Sequence, residues 1–240
     1  MRLSMSKTIP SLKERMAMFF CPLEKSIPDI NGNCFVLGSA PGSPLLPDGF
    51  NEDWSVITVN ASSVIAMQLG IMKPDYTVMS GRMLHEKPAN REAKSVIKDG
   101  CTKRLILIER GAVDRGQAQE ILNEINFNFD EYYPITHMQR AKITYKTTGR
   151  NLSFYAGKRK ISTGLFAVVL AFHLSAKKVI LSGFSLSQDG HYYSNTNLAR
   201  AHRDMDRYLL NRLIDKGFPV YAADKKAQAE MNLPLWKDAP

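Results

Sequence analysis

Between residues 160 and 187 the chain leaves itself little freedom. A turn of small hydroxyl-bearing residues, Ser162-Thr163-Gly164, runs straight into an apolar segment of helical length. Past Lys177-Lys178 that segment gives way to Val179-Ile180-Leu181 and then to Gly183-Phe184-Ser185. Loop, helix, strand and loop in that order make half of a parallel α/β unit, with both loops opening on one edge of a sheet. A Ser-Thr-Gly turn at a helix start leaves backbone N–H groups unpaired and so attracts anions. The same residues also cap ordinary helices that bind nothing.

Other short apolar runs repeat the theme. Cys34-Phe35-Val36-Leu37 ends in Gly38 and the small residues Ser39-Ala40-Pro41-Gly42, and Val56-Ile57-Thr58-Val59 ends in Asn60. Pro74-Asp75-Tyr76-Thr77-Val78-Met79 ends in Ser80-Gly81-Arg82, Arg104-Leu105-Ile106-Leu107-Ile108 ends in Glu109-Arg110, and Phe218-Pro219-Val220-Tyr221 closes the set. This succession predicts an α/β fold: a single Rossmann-like domain with a largely parallel, twisted sheet flanked by helices. Polar strand ends then converge on one crevice, where open sheets of this kind bind ligands. The loop after the first run does not meet the strict dinucleotide fingerprint, and no Gly-Lys-Ser/Thr follows it. It is either a phosphate-friendly loop or a tight turn with no ligand. Asn60 likewise either faces a ligand or caps the next helix. Residues 126–159, rich in Tyr, Asn, Thr, Lys and Arg, read as an irregular lid or acceptor insertion. The domain is expected over 31–231, with an N-terminal extension at 1–30 and a C-terminal tail at 232–240.

At 240 residues and 44% hydrophobic content the chain can bury a full core as one domain. Its formal net charge of +9 favours anionic partners: nucleotides, phosphorylated glycans, nucleic acid or an acidic membrane surface. Cys21, Cys34 and Cys101 have neither the pairing of a disulfide framework nor the spacing of a zinc site, which fits a reduced, cytoplasmic protein. The apolar patch at 16–23 is too short to span a bilayer and is broken by Pro22. With Lys7, Lys13 and Arg15 before it, the segment reads either as a peripheral membrane contact or as an amphipathic helix packed on the domain.

The histidines differ in setting. His173 lies inside the apolar helical segment and reads as a core residue, while nothing near His85 or His137 decides a role. His191, followed by Tyr192-Tyr193, offers donors to a departing phosphate, although aromatic packing at a hairpin tip would explain the same triplet. His202 can accept a hydroxyl proton near neutral pH, and Asp206, one helical turn on, can orient its ring. A solvated ion pair on a helix surface would have the same spacing. Asp204-Met205-Asp206 spells Asp-x-Asp, but residues two apart on a helix point in different directions, so no metal site is read there.

Taken in order, these motifs resemble those of the sialyltransferases. The stretch from Cys34 through Gly38 to Asn60 looks like the long motif of that family. Ser162-Thr163-Gly164, the apolar helix, the Val-centred strand and Gly183-Phe184 look like the small motif. His191-Tyr192-Tyr193 is similar to the His-Tyr-Tyr motif of the animal enzymes, and His202 with Asp206 ahead of Tyr208-Leu209-Leu210 to the element carrying the catalytic base. Tyr193 also falls where the bacterial type places a phosphate-binding Tyr. Three departures stand out: Ser39 occupies a position commonly held by Asn, Ser187 that of a second phosphate-binding Tyr, and Ser175-Ala176 that of a Cys in the small motif.

The resemblance implies an inverting glycosyltransferase that moves sialic acid or a similar acidic keto-sugar from a CMP-sugar donor to a glycan hydroxyl. Its implied setting is bacterial surface polysaccharide or lipooligosaccharide synthesis. It implies no metal or cofactor, a CMP-activated donor and a glycan acceptor as partners, no nucleic acid, and a cytoplasmic location with peripheral contact at the inner membrane. Gly38, Ser39, Gly42 and Asn60 would bind the nucleotide, Ser162, Thr163 and Gly164 the cytidine or carboxylate end of the donor, and Ser80 would also contact substrate. Gly183, Phe184 and Ser185 would line the site, His191 and Tyr193 would steady the departing phosphate, and His202 would be the base. Transfer of Kdo from CMP-Kdo is the nearest alternative. A non-catalytic nucleotide or nucleic-acid binding module is what the charge alone supports.

Overall fold

The computed structural model describes residues 12–22, 26–42, 44–86, 88–109, 115–150, 160–193 and 202–237. Seven parallel strands form one sheet: β1 (Gly32–Leu37), β2 (Ser55–Val59), β3 (Tyr76–Ser80), β4 (Cys101–Ile108), β5 (Asn128–Ile135), β6 (Ala176–Ser182) and β7 (Val220–Ala222). Their order is β5-β4-β3-β2-β1-β6-β7. The chain therefore steps outward from β1 to β5, then returns across the sheet to lay β6 on the other side of β1. That reversal, between β1 and β6, is where an open parallel sheet leaves a crevice at its carboxyl edge.

Helices α1 (Leu12–Phe19), α2 (Ser63–Gln68), α3 (Pro88–Ile97), α4 (Arg115–Glu124), α5 (His137–Thr148), α6 (Thr163–His173), α7 (Arg203–Asp215) and α8 (Lys225–Met231) flank the sheet. Strand residues alternate between its faces. Cys34 and Val36 join α6 in one core, while Phe35 and Leu37 pack with Trp54, Ile180 and Trp236 in another. In β4, Ile106 and Ile108 face the first core, and Leu105 and Leu107 face a third built on α3 and α4. Coverage on both sides is why the strands read as near-continuous apolar runs. Residues 165–171 of α6 are all buried, which explains a helix apolar on every side.

Three boundaries differ from the sequence expectation. The segment at 126–159 is regular as far as Thr148: it supplies β5 and α5, and 151–159 lies outside the described residues. β5 escaped notice because it is an edge strand, where Pro134 is tolerated and alternate residues face solvent. α5 escaped because it buries polar residues, Gln139, Arg140, Thr144, Thr147 and Thr148, instead of an apolar stripe. Its start was nonetheless written in the chain, as a capping box in which Thr136 and Gln139 exchange hydrogen bonds at 3.2 and 2.7 Å. At the N-terminal side, Ile27 and Ile30 are buried and the Ile30 N–H meets the Leu174 carbonyl, so the body begins before 31. At the other end Leu233 and Trp236 are buried, and Trp236 bonds back to Ala222, so the body runs past 231.

Candidate active site

Where β1 and β6 end, their backbones come into contact. The Gly38 N–H donates to the Ser182 carbonyl at 2.9 Å and the Ala40 N–H to the Gly183 carbonyl at 2.7 Å. A Cβ at Gly38 would stand 2.4 Å from the Gly183 oxygen, and one at Gly183 the same distance from the Gly38 oxygen. Gly183 also has a φ of +68°, in the left-handed region. Phe184 then lies against Gly164, where a Cβ would meet its ring at 2.9 Å. These glycines are required by close packing at the strand-order reversal.

Above this floor opens a cavity of about 380 Å³, a size suited to a small ligand. One wall is the start of α6. The Ser162 hydroxyl accepts the Leu165 N–H at 3.1 Å, and the Ser162 N–H donates to Asp206 Oδ1 at 2.8 Å. Arg140, only 2% exposed, donates from Nη2 to the Ile161 and Ser162 carbonyls at 2.9 and 3.0 Å, and its guanidinium lies 4.9 Å from the Phe166 ring centre. With Leu165 and Ser162 so engaged, Thr163 and Gly164 are the first-turn amides left to meet an anion.

A second wall comes from β2 and β3. Asn60, at a φ of +52°, accepts the Ser80 N–H on its side-chain oxygen at 2.9 Å, so it ties two strand ends together and does not cap its own turn. The third wall joins the loop after β1 to the loop after β6. Ser39 Oγ lies 3.0 Å from His191 Nδ1, and the Tyr192 N–H donates to the Ser39 carbonyl at 2.9 Å. The His191 ring stacks parallel to Tyr193 with centres 5.2 Å apart. Ser185 donates to Glu230 of α8 and accepts the Gln188 N–H at 2.9 Å, which fixes the same loop from below. Half-buried His202 lines the cavity at the boundary of α7, its carbonyl accepting the Asp206 N–H at 2.9 Å.

Thirteen of the residues singled out from sequence line this one cavity: Gly38, Ser39, Asn60, Ser80, Ser162, Thr163, Gly164, Gly183, Phe184, Ser185, His191, Tyr193 and His202. Gly42 does not; it lies apart, near the Lys226 ammonium. Asp206 lines the cavity as well, and its Oδ1 accepts the Ser162 N–H. Asp204 is exposed while Asp206 is buried, so the two carboxylates of the Asp-x-Asp sequence do not face one point. Among the described residues no cluster of His, Cys, Asp and Glu side chains is placed to hold a metal ion.

Sequence reasoning missed the cationic character of the lining. Among the described residues Arg82, Arg140, Lys160 and Arg203 contribute to it, against the one carboxylate of Asp206. Arg203 is held by Asp189 at 2.6 Å. Lys160 and Arg203 sit beside motifs already noticed, but nothing local marks Arg140 as a site residue. Such a surface suits a ligand with more than one negative charge.

No family model matches the chain, and no curated protein matches it by sequence. Solved structures match it by fold. The sialyltransferase CstII from Campylobacter jejuni, in complex with the substrate analogue CMP-3FNeuAc, superposes with a TM-score of 0.53 at 13% identity, covering 87% of this chain and 87% of that one. CstII with a trisaccharide acceptor and CMP gives 0.53 at 13% identity, covering 84% and 85%. The monofunctional α-2,3-sialyltransferase Cst-I from Campylobacter jejuni gives 0.56 at 13% identity, covering 89% and 85%. The chain thus has a sialyltransferase-like fold.

Proposed function

We propose that this chain is a glycosyltransferase that moves sialic acid, or a similar acidic keto-sugar, from a CMP donor to a glycan hydroxyl with inversion at the anomeric carbon. One observation carries the reading. On a sialyltransferase-like fold, a single cavity gathers the Ser162-Thr163-Gly164 helix start, the Asn60–Ser80 strand ends, the His191–Tyr193 pair and His202. In this reading Gly38, Ser39, Asn60 and Ser80 hold the nucleotide, with Phe184 and Ser185 beside it. The amides of Thr163 and Gly164 receive the anionic end of the donor. A His202 ring nitrogen takes the acceptor's hydroxyl proton as its oxygen forms the new bond to the anomeric carbon. The bond from that carbon to the phosphate oxygen breaks, and its electron pair leaves with CMP. His191 and Tyr193 donate hydrogen bonds to the charge developing there. The reaction would take place on the cytoplasmic side, in bacterial surface glycan synthesis, with the basic protein lying against acidic lipid of the inner membrane.

The test is CMP titration together with CMP release from a panel containing CMP-sialic acid and CMP-Kdo. Turnover with one donor and not the other names the sugar. His202→Ala is expected to retain CMP affinity and lose transfer at least about a hundredfold; turnover like that of the unaltered protein removes His202 from the role. A chelator is expected to leave the rate unchanged, and loss restored by magnesium would contradict the metal-independent reading. A protein that ignores CMP and both donors, yet retards RNA with a steep salt dependence, would be a nucleic-acid binding module instead.

A further inference from the structure

We infer that Asp206 and Arg140 are positioning residues which grip the backbone of Ser162 from both sides and lock the anion-binding start of α6 to the helix carrying His202. The inference rests on the transferase reading for its catalytic consequence and on geometry for the grip itself. Asp206 Oδ1 takes the Ser162 N–H at 2.8 Å, and Arg140 Nη2 donates to the carbonyls of Ser162 and Ile161 at 3.0 and 2.9 Å. Both side chains are buried, at 7% and 2% exposure. Asp206 completes a chain of hydrogen bonds between the two functional ends. Its own N–H bonds the His202 carbonyl at 2.9 Å, while its carboxylate bonds the Ser162 amide 44 residues away.

Electrostatics explains why both members are present. A lone carboxylate beside the start of α6 would repel the phosphate or carboxylate that this helix end is suited to receive. The Arg140 guanidinium, seated on the other side of the same residue, offsets that charge. Asp206 also decides which donors reach the ligand, because it engages the Ser162 N–H and leaves those of Thr163 and Gly164. Its effect on the donor is thus exerted through the Ser162 amide.

Three variants test this: Asp206→Asn, Asp206→Ala and Arg140→Lys. Each is followed by CMP titration calorimetry, by kcat and KM for transfer across pH, and by hydrogen exchange at the Ser162 amide. Asn keeps an oxygen for the Ser162 N–H, so Asp206→Asn is expected to hold CMP affinity and slow amide exchange near those of the unaltered protein, and to leave the pH profile in place. Asp206→Ala is expected to weaken CMP at least about tenfold and to speed exchange at Ser162. Arg140→Lys keeps the charge without the two-carbonyl geometry, and so is expected to weaken CMP by a smaller factor in the same direction. Unchanged CMP affinity in Asp206→Ala overturns the inference. So does a displaced pH profile in Asp206→Asn, because that would place the carboxylate's effect on the His202 ring. If Asp206→Ala does not fold, the comparison of Asp206→Asn with Arg140→Lys decides. If the unaltered protein does not bind CMP, the transferase reading fails, and exchange at the Ser162 amide still tests the grip.

Discussion

Replacing Gly38 by Ala places a methyl group where two strands already touch. The added carbon would stand 2.4 Å from the Gly183 carbonyl oxygen and 3.1 Å from the Phe184 ring, whereas ordinary contact begins at 3.4 Å. The obstacle is backbone, so β1 and β6 must part by about an ångström; overpacking of this kind costs about 1–3 kcal/mol. Parting them also strains the Gly38–Ser182 and Ala40–Gly183 hydrogen bonds, worth about 1 kcal/mol each. A total of about 3–5 kcal/mol is expected, which in a chain of this size lowers Tm by roughly 6–20 °C. Gly70→Ala is the control: its φ is +82° and nothing lies within 4 Å of a Cβ there, so only the left-handed backbone penalty of about 1–2 kcal/mol applies. Urea unfolding followed by fluorescence of the buried Trp54 and Trp236 measures both variants. If Gly38→Ala proves no less stable than Gly70→Ala, the packing argument for these glycines is refuted.

Further predictions concern the loops and the thiols. Ser39→Ala removes the hydroxyl 3.0 Å from His191 Nδ1, and kcat for transfer is expected to fall about tenfold together with some loss of CMP affinity; an unaltered kcat contradicts the positioning of His191 by Ser39. Burial pushes the Glu230 carboxyl up, but hydrogen bonds from the Ser185 and Ser187 hydroxyls and the Ser187 N–H outweigh it and hold the group below its ordinary value. The folded state therefore takes up this proton less readily than the unfolded chain. The stability involved is present above the ordinary carboxyl pKa and is lost as pH falls through the lowered one. Urea midpoints should consequently drop more on acidification for the unaltered protein than for Glu230→Gln, and parallel curves would contradict this. Burial, aided by the negative charge of Asp75, raises the thiol pKa of Cys34, while Cys21 and Cys101 are half-buried. A thiol reagent should modify Cys21 and Cys101 in the native protein and reach Cys34 only after unfolding; early modification of Cys34 would show that β1 opens.

The site was more legible than the outline of the fold. Cavity residues sit at strand ends or helix starts, where Gly, Ser, Asn and His interrupt apolar runs, and such interruptions are visible in a chain read by itself. Asn60 and Ser162 were found in this way. Arg140 could not be, because it projects from a helix with no apolar stripe and acquires its place only when α5 packs beside α6. Gly42 shows the opposite error: it belongs to a stretch of small residues, yet the chain has already turned away from the cavity there. Asp206 was noticed for its spacing from His202, but spacing along a helix says nothing of a partner 44 residues away. β5 is hard to see in the sequence because an edge strand with Pro134 carries little of the apolar pattern that marks central strands.

The strand order also governs when a binding crevice first exists. Residues 38 and 39 leave the ribosome long before 183–193, and the intervening chain builds the sheet outward from β1 to β5. Until β6 arrives, the flank of β1 opposite β2 is an open edge and half the crevice wall is missing. Closure depends on contacts of large sequence separation, which form late and slowly. A nascent chain halted before β6 would hold five of the seven strands and lack the walls that β6, its following loop and α7 supply, so the cavity takes shape only after β6 is laid beside β1.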